Sequence, residues 1–398
     1  MNHFTVPKFI LSISKAASVY GFFRRAGTLS ALLLVLILSA CASPSQQMPV
    51  VVDQRAVVVT AIVESFMAET GTPGVTATVL EPGRPEITVA MGLSSIEPQS
   101  ALTEENPFRI GSVTKEFTAT VIMQLAQEGL VGLDDRLARF YPQIPNSDRI
   151  TVSMLLQHTS GFPEHETNSR FQQMIAENPL KVWTLQELID ANINGVTLYP
   201  PGEAFHYSNI NYQLLGGIAE MVTAKELPRL FDEKLFRPLG MTATFWPAGV
   251  EPVSGLAHGY ALAGGSTHDV TYSLHPSVAG AAGALISNLH DMKIWARAVA
   301  RGDLLSEEMQ KKRLEWITPG SSDQMKVGLG IIYDHGLIGF HGAFGGHQAS
   351  VMYLPERDAV IVVFTNMMGG GKGSSHLLRG IADALFSDRL AAPLDKER

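Results

Sequence analysis

The sequence predicts an α/β fold. An antiparallel sheet flanked by helices is assembled from both ends of the chain and carries an inserted all-helical subdomain. Three observations predict it. A strand, turn, strand pattern runs through Val75–Leu80 and Glu86–Met91, around Glu81-Pro82-Gly83-Arg84-Pro85. Four further apolar runs follow late in the chain, at Val327–Tyr333, Leu337–His341, Gln348–Leu354 and Ala359–Thr365. Between these groups, from about residue 130 to about residue 300, the periodicity is mostly helical with long loops.

The elements follow in order. Lys8, Lys15, Arg24 and Arg25 precede an apolar run from Ala31 to Leu38. That run is shorter than the roughly 20 residues a membrane-spanning helix needs. A basic region, a short apolar region and then small residues read as a secretory signal over residues 1–40. Leu38-Ser39-Ala40-Cys41 resembles a bacterial lipoprotein box, in which the cysteine is lipidated and becomes the new N-terminus. Cys41 is the only cysteine, so no disulfide forms within one chain. Ala42 and Ser43 lack the aspartate that retains lipoproteins at the inner membrane in enteric-type sorting. The expectation is an exported protein, lipid-anchored on the outer membrane and facing the periplasm. Residues 41–53, with Pro44 and Pro49, read as a tether.

The folded domain is expected over 54–388, with a charged tail at 389–398. Asp53 can cap a helix running to about Ala68, which the Thr70-Gly71-Thr72-Pro73-Gly74 cluster ends. Phe117, Val121 and Leu125 recur at helical spacing after Ser112, and Gly129 supplies a stop. Asp134-Asp135 are expected to cap a short helix. Ile150–Gly161 reads as a helix ending in a polar turn, and Leu185–Ile193 and Tyr212–Val222 as further helices. Gly280–Gly302 holds a glycine-rich turn and a helix from about Asn288 to Ala300. Ser306–Trp316 and Ser374–Phe386 complete the helices.

Composition limits function. The chain has 398 residues, a formal net charge of −8 and 45% hydrophobic residues, which suits a globular protein with a large core. Mild acidity, with no basic tract beyond the N-terminus, argues against a nucleic-acid partner. The twelve histidines show no H-x-H-x-D or H-E-x-x-H spacing, and His158 and His165 flank a Gly-Phe-Pro turn. No metal site and no cofactor are expected. No G-x-S-x-G elbow occurs either.

The chemistry-bearing stretch is Ser112-Val113-Thr114-Lys115. On a helix, residues three apart share a face. A serine hydroxyl is a weak nucleophile and needs a base. A lysine in a desolvated place can be that base, and a helix N-terminus favours an oxyanion beside it. Alone the tetrad is weak, since Ser12 and Lys15 repeat the spacing within the signal region.

Further stretches converge with it. Tyr207-Ser208-Asn209 resembles the Tyr-x-Asn element of class C β-lactamases and related peptidases. The stretches Leu155–Phe162, Ala282–Met292 and Val362–Asn366 match that group in order and spacing. From about Asp53 to Asp388 the chain resembles the serine β-lactamase and penicillin-binding-protein-like hydrolases. The branch is that of class C β-lactamases, D-amino-acid peptidases and family VIII esterases. The resemblance implies Ser112 as nucleophile, Lys115 and Tyr207 as the proton-handling pair, and Asn209 as a ligand of Lys115 and of substrate. It leaves open which of Lys115 and Tyr207 is the base.

The family's third element, Lys/His-x-Gly, departs from its pattern here. Counting back from Pro355 places it at Phe340-His341-Gly342. A shift by one gives His341-Gly342-Ala343, but a shift by one turns every side chain of a strand over. In the first register Phe340 stands where relatives carry a cation, Phe340 and His341 are both expected at the substrate, and Gly342 lets substrate approach the backbone. The N–H groups of Ser112 and Ala343 then form the oxyanion hole. Such a site favours a neutral ester or amide over the carboxylate-bearing β-lactam or D-Ala-D-Ala peptide. A catalytically silent lipoprotein that binds a cell-wall peptide or penicillin is the alternative from another class.

Overall fold

The computed structural model describes residues 53–164, 168–193, 197–320 and 324–387. Cys41, the signal, most of the tether, His165 and the 389–398 tail lie outside the described residues.

The fold is the expected α/β architecture. Eight strands form one sheet, and both chain ends contribute. Gly74–Leu80 pairs with Ala359–Thr365 on one side and with Ile87–Ser95 on the other. His347–Leu354 and Leu337–Phe344 continue beyond Ala359–Thr365, and every pairing is antiparallel. The strand Ala359–Thr365 is buried throughout, as its unbroken apolar run requires for a central strand. Helices Gln54–Thr70 and Ser374–Phe386 pack together, the latter against the central strands. Asp53 caps the first helix, accepting from Arg55 N at 2.9 Å.

Several local expectations need correction. Asp135 does not cap a helix: its carboxylate accepts from Gly132 N at 2.7 Å, and the single turn Leu137–Arg139 follows uncapped. The helix expected over Ile150–Gly161 covers only Val152–Leu156. It ends where His158 takes a positive φ of 58°. The strand expected over Val327–Tyr333 splits into Met325–Val327 and Ile332–Asp334, because Gly330 turns the chain at φ 71°. Helix Leu289–Arg301, assigned above to the inserted helical region, packs on the sheet instead.

The Ser112 helix is the central pillar. Residues Thr114–Gln127 form it, and all but a few of its side chains are buried. Phe117 stacks on Trp295 at 3.6 Å between ring centres. Trp295 Nε1 donates to Glu116 Oε2 at 2.8 Å, and Arg313 donates to Thr120 Oγ1 at 2.6 Å. Burial pushes the Glu116 carboxyl up to about 8 from its ordinary 4.5. The folded protein therefore holds a proton that the unfolded chain has released. This group's contribution to stability should fall as pH rises from about 4.5 to about 8. His158 and His347, kept neutral by burial, contribute the opposite slope in acid. Glu116→Gln isolates the carboxyl. Urea midpoints of wild type and variant, compared at pH 5, 6.5 and 8, should diverge with pH, and parallel curves would refute the shift.

Candidate active site

Ser112 sits in a tight turn, Gly111–Val113, immediately before its helix. Two glycines let that turn lie flat on strand Leu337–Phe344. A Cβ on Gly111 would stand 2.4 Å from Ala343 N, and one on Gly342 would stand 2.6 Å from Ser112 N. No side chain fits at such distances.

Lys115 is fully buried one helical turn on. Its Nζ donates to Ser112 Oγ at 3.0 Å, to Asn209 Oδ1 at 2.6 Å and to the Ala282 carbonyl at 2.8 Å. A buried ammonium needs such partners to offset its lost hydration. Tyr207 Oη lies 2.7 Å from Ser112 Oγ. The Lys115 ammonium also stands 4.9 Å from the centre of the Tyr207 ring. Ser112, Lys115, Tyr207 and Asn209, singled out from sequence, are thus brought together in one circuit.

The loop after helix Val152–Leu156 holds Tyr207-Ser208-Asn209 in place. The His158 carbonyl accepts from His206 N at 2.8 Å, and its Nδ1 accepts from Ser208 N at 3.1 Å. Its ring lies 4.5 Å from that of Tyr207. Burial, and then the nearby Lys115 charge, hold His158 neutral, with its pKa well below the usual value. Glu164 is a residue of the candidate site that the sequence reading did not single out. One carboxylate oxygen accepts from Asn209 N at 2.8 Å and the other from Asn209 Nδ2 at 2.7 Å. This fixes the orientation of the amide, so that Oδ1 faces Lys115. The signal available was only its place just after the Thr-Ser-Gly-Phe-Pro stretch.

The strand beneath resolves into two faces. Phe340 is 6% exposed and alternates with His341. Phe340 and Gly342 turn toward the Ser112 side. His341 turns the other way. Its Nδ1 pairs with Ser350 Oγ at 2.9 Å and its Nε2 with Asp334 Oδ2 at 3.1 Å. Burial opposes ionisation of Asp334, but hydrogen bonds from His341 and His335 and the Arg379 charge outweigh it and hold its pKa at about 2. His341, expected at the substrate, is therefore engaged in a separate network. Ala343 is exposed beside Ser112, at the rim of a cleft of about 500 Å³. Gln172, Ile175, Leu274 and Val278 also line it. Among the described residues no group of three or more His, Cys, Asp or Glu could hold a metal ion.

An antiparallel sheet built from both chain ends, with a Ser-x-x-Lys turn facing a Tyr-x-Asn loop, defines the serine β-lactamase and penicillin-binding-protein superfamily. The chain belongs to its Beta-lactamase family, whose sequence model matches residues 59–386. It is similar to the putative penicillin-binding protein PbpX of Bacillus subtilis (strain 168). The two are 27% identical over 78% of this chain and 74% of that protein. Protein flp of Staphylococcus aureus (strain NCTC 8325 / PS 47) is 28% identical over 46% of this chain, a match spanning 36% of flp. Among solved structures, D-amino acid amidase from Ochrobactrum anthropi SV3, complexed with D-phenylalanine, superposes with a TM-score of 0.76. It is 25% identical, over 85% of this chain and all of that one.

Proposed function

We propose that this protein is a serine hydrolase that cleaves neutral esters or amides through an acyl-enzyme on Ser112. The observation that carries the reading is the circuit in which Ser112 Oγ meets both Lys115 Nζ and Tyr207 Oη. Ser112 Oγ attacks the carbonyl carbon, and its proton passes to the Lys115–Tyr207 pair. The N–H groups of Ser112 and Ala343 receive the oxyanion. Asn209 holds the ammonium and offers its amide to the substrate in the cleft. Water then releases the acyl group by the same proton path. Phe340, buried beside Tyr207, leaves an apolar surface where a carboxylate would need a cation, which favours neutral substrates. The likeness to a D-amino acid amidase supports amides within that class.

A fluorophosphonate probe should leave one adduct, on the peptide that contains Ser112. Turnover of p-nitrophenyl butyrate should exceed that of a chromogenic cephalosporin and of a D-alanyl peptide. An adduct elsewhere, or none, would overturn the nucleophile. The reverse order of substrates would favour a β-lactamase or D-peptidase.

We also propose that the protein is exported, lipidated at Cys41 and held on the outer membrane facing the periplasm. The Leu-Ser-Ala-Cys box supports this. Palmitate incorporation should vanish in Cys41→Ser, and equal labelling of that variant would refute it.

A further inference from the structure

A second cavity lies on the other side of Tyr207. It encloses about 210 Å³, and His158, Phe205, Tyr207, Val327, Ile332 and Phe340 line it. It shares no lining residue with the 500 Å³ cleft that contains Ser112, Asn209 and Ala343. The hydrogen bond between Ser112 and Tyr207, 2.7 Å long, stands between the two spaces. The reacting centre is thus flanked by a larger cleft and a smaller apolar chamber.

The wall of the chamber is aromatic and aliphatic. Among the described residues no carboxylate, lysine or arginine lines it. His158 is neutral, and its Nδ1 is taken up by Ser208 N. The His341 ring is bound to Asp334 and Ser350 on the opposite face of the strand. Met325, 41% exposed, also lines the chamber and marks its outer edge. For scale, an apolar cavity of about 150 Å³ lined by Leu, Ile and Phe admits benzene.

Proton chemistry says which half of a substrate belongs there. The leaving atom must take a proton as its bond to the acyl carbon breaks. Lys115 directs its N–H groups at Ser112, Asn209 and Ala282. The Tyr207 hydroxyl is then the donor that reaches the leaving atom, so the leaving group departs on the Tyr207 side.

Resting on the acyl-enzyme reading above, we infer that this chamber receives the leaving group. That group is a neutral, apolar alcohol or amine of about the size of an aromatic ring or a branched short chain. The acyl part occupies the larger cleft. In the step for an ester, the bond from Ser112 Oγ to the acyl carbon forms and the bond from that carbon to the alkoxy oxygen breaks. The serine proton is relayed through Tyr207 to that oxygen, and a neutral alcohol departs. Esters that share an acyl group then pass through one common acyl-enzyme. The chamber therefore acts on acylation and leaves deacylation unchanged.

The test uses two ester series on the purified protein. One holds the acyl group as acetate and varies the alcohol through methyl, isobutyl and benzyl, whose intrinsic acidities are similar. The other holds methyl and lengthens the acyl chain. In wild type, kcat/KM should rise roughly tenfold or more from methyl to benzyl acetate, in the range a hydrophobic pocket supplies. Ile332→Phe, which fills the chamber, should remove that gain while methyl acetate and the acyl series stay unchanged. Met325→Trp narrows the edge at an exposed position and should act in the same direction, which keeps the test open if Ile332→Phe folds poorly. A Ser112 adduct with no dependence on alcohol size, or with variants that slow methyl and benzyl acetate alike, overturns the inference alone. The absence of any Ser112 adduct overturns the acyl-enzyme reading, and the inference with it.

Discussion

Lys115→Ala should lower kcat/KM for p-nitrophenyl butyrate by about 10² to 10⁴, the range for loss of a positioned proton-transfer group. Tyr207→Phe should fall in the same range. The two losses should not add. Lys115 Nζ and Tyr207 Oη both contact Ser112 Oγ, at 3.0 and 2.7 Å, and in the proposed mechanism they handle one proton as a unit. Groups that act as a unit are strongly non-additive, and the double variant should be little slower than the worse single one. Tyr207→Phe keeps the ring that packs against His158 and should change the melting temperature little. Lys115→Ala leaves Asn209 Oδ1 and the Ala282 carbonyl without this donor, at about 1–3 kcal/mol for each group left unsatisfied. Its folding must therefore be checked by thermal unfolding before the rate is interpreted. Losses that multiply in full would show that the two residues serve separate steps.

Phe340→Lys should change what the protein hydrolyses. The Phe340 ring lies in the apolar wall beside Tyr207, on the face of the strand that meets the Ser112 turn. A substrate carboxylate brought there would lose its hydration without gaining a partner. A lysine at that position would supply a charge-assisted hydrogen bond, worth about 1.5–3 kcal/mol. The ratio of kcat/KM for a cephalosporin to that for p-nitrophenyl butyrate should therefore rise roughly 10- to 100-fold in the variant, the same energy expressed as a rate. A wild type that already prefers the cephalosporin, joined to an unchanged ratio in Phe340→Lys, would show that this position does not set the preference.

Much of the fold was legible because its signals are local. The Asp53 cap, the hairpin from Gly74–Leu80 to Ile87–Ser95, and the closing helix Ser374–Phe386 are each set by neighbours within a few residues. The hairpin Tyr260–Ala263 with Ser266–Asp269 went unread although Gly264-Gly265 joins its strands. Its second strand is exposed and polar throughout, so apolar alternation could not reveal it. The helix Ser169–Glu177 was missed for a related reason: Phe171 is its only buried side chain.

The site divides in the same way. Residue spacing alone placed Ser112 and Lys115 on one face, because helical geometry is local. The Asn209 and Ala282 partners of Lys115 stand 94 and 167 residues away in the chain, and Glu164 grips Asn209 across 45. No periodicity carries information over such separations, so only the packed fold brings those groups to one point. Period-two alternation determined that Phe340 and His341 point to opposite faces of their strand. It is silent on which face meets the serine. The tertiary structure decided that by seating Gly342, which has no side chain to obstruct the contact, directly under the Ser112 turn. Phe340 shares the face of Gly342 and is thereby turned to the reacting side, while His341 is turned to Asp334.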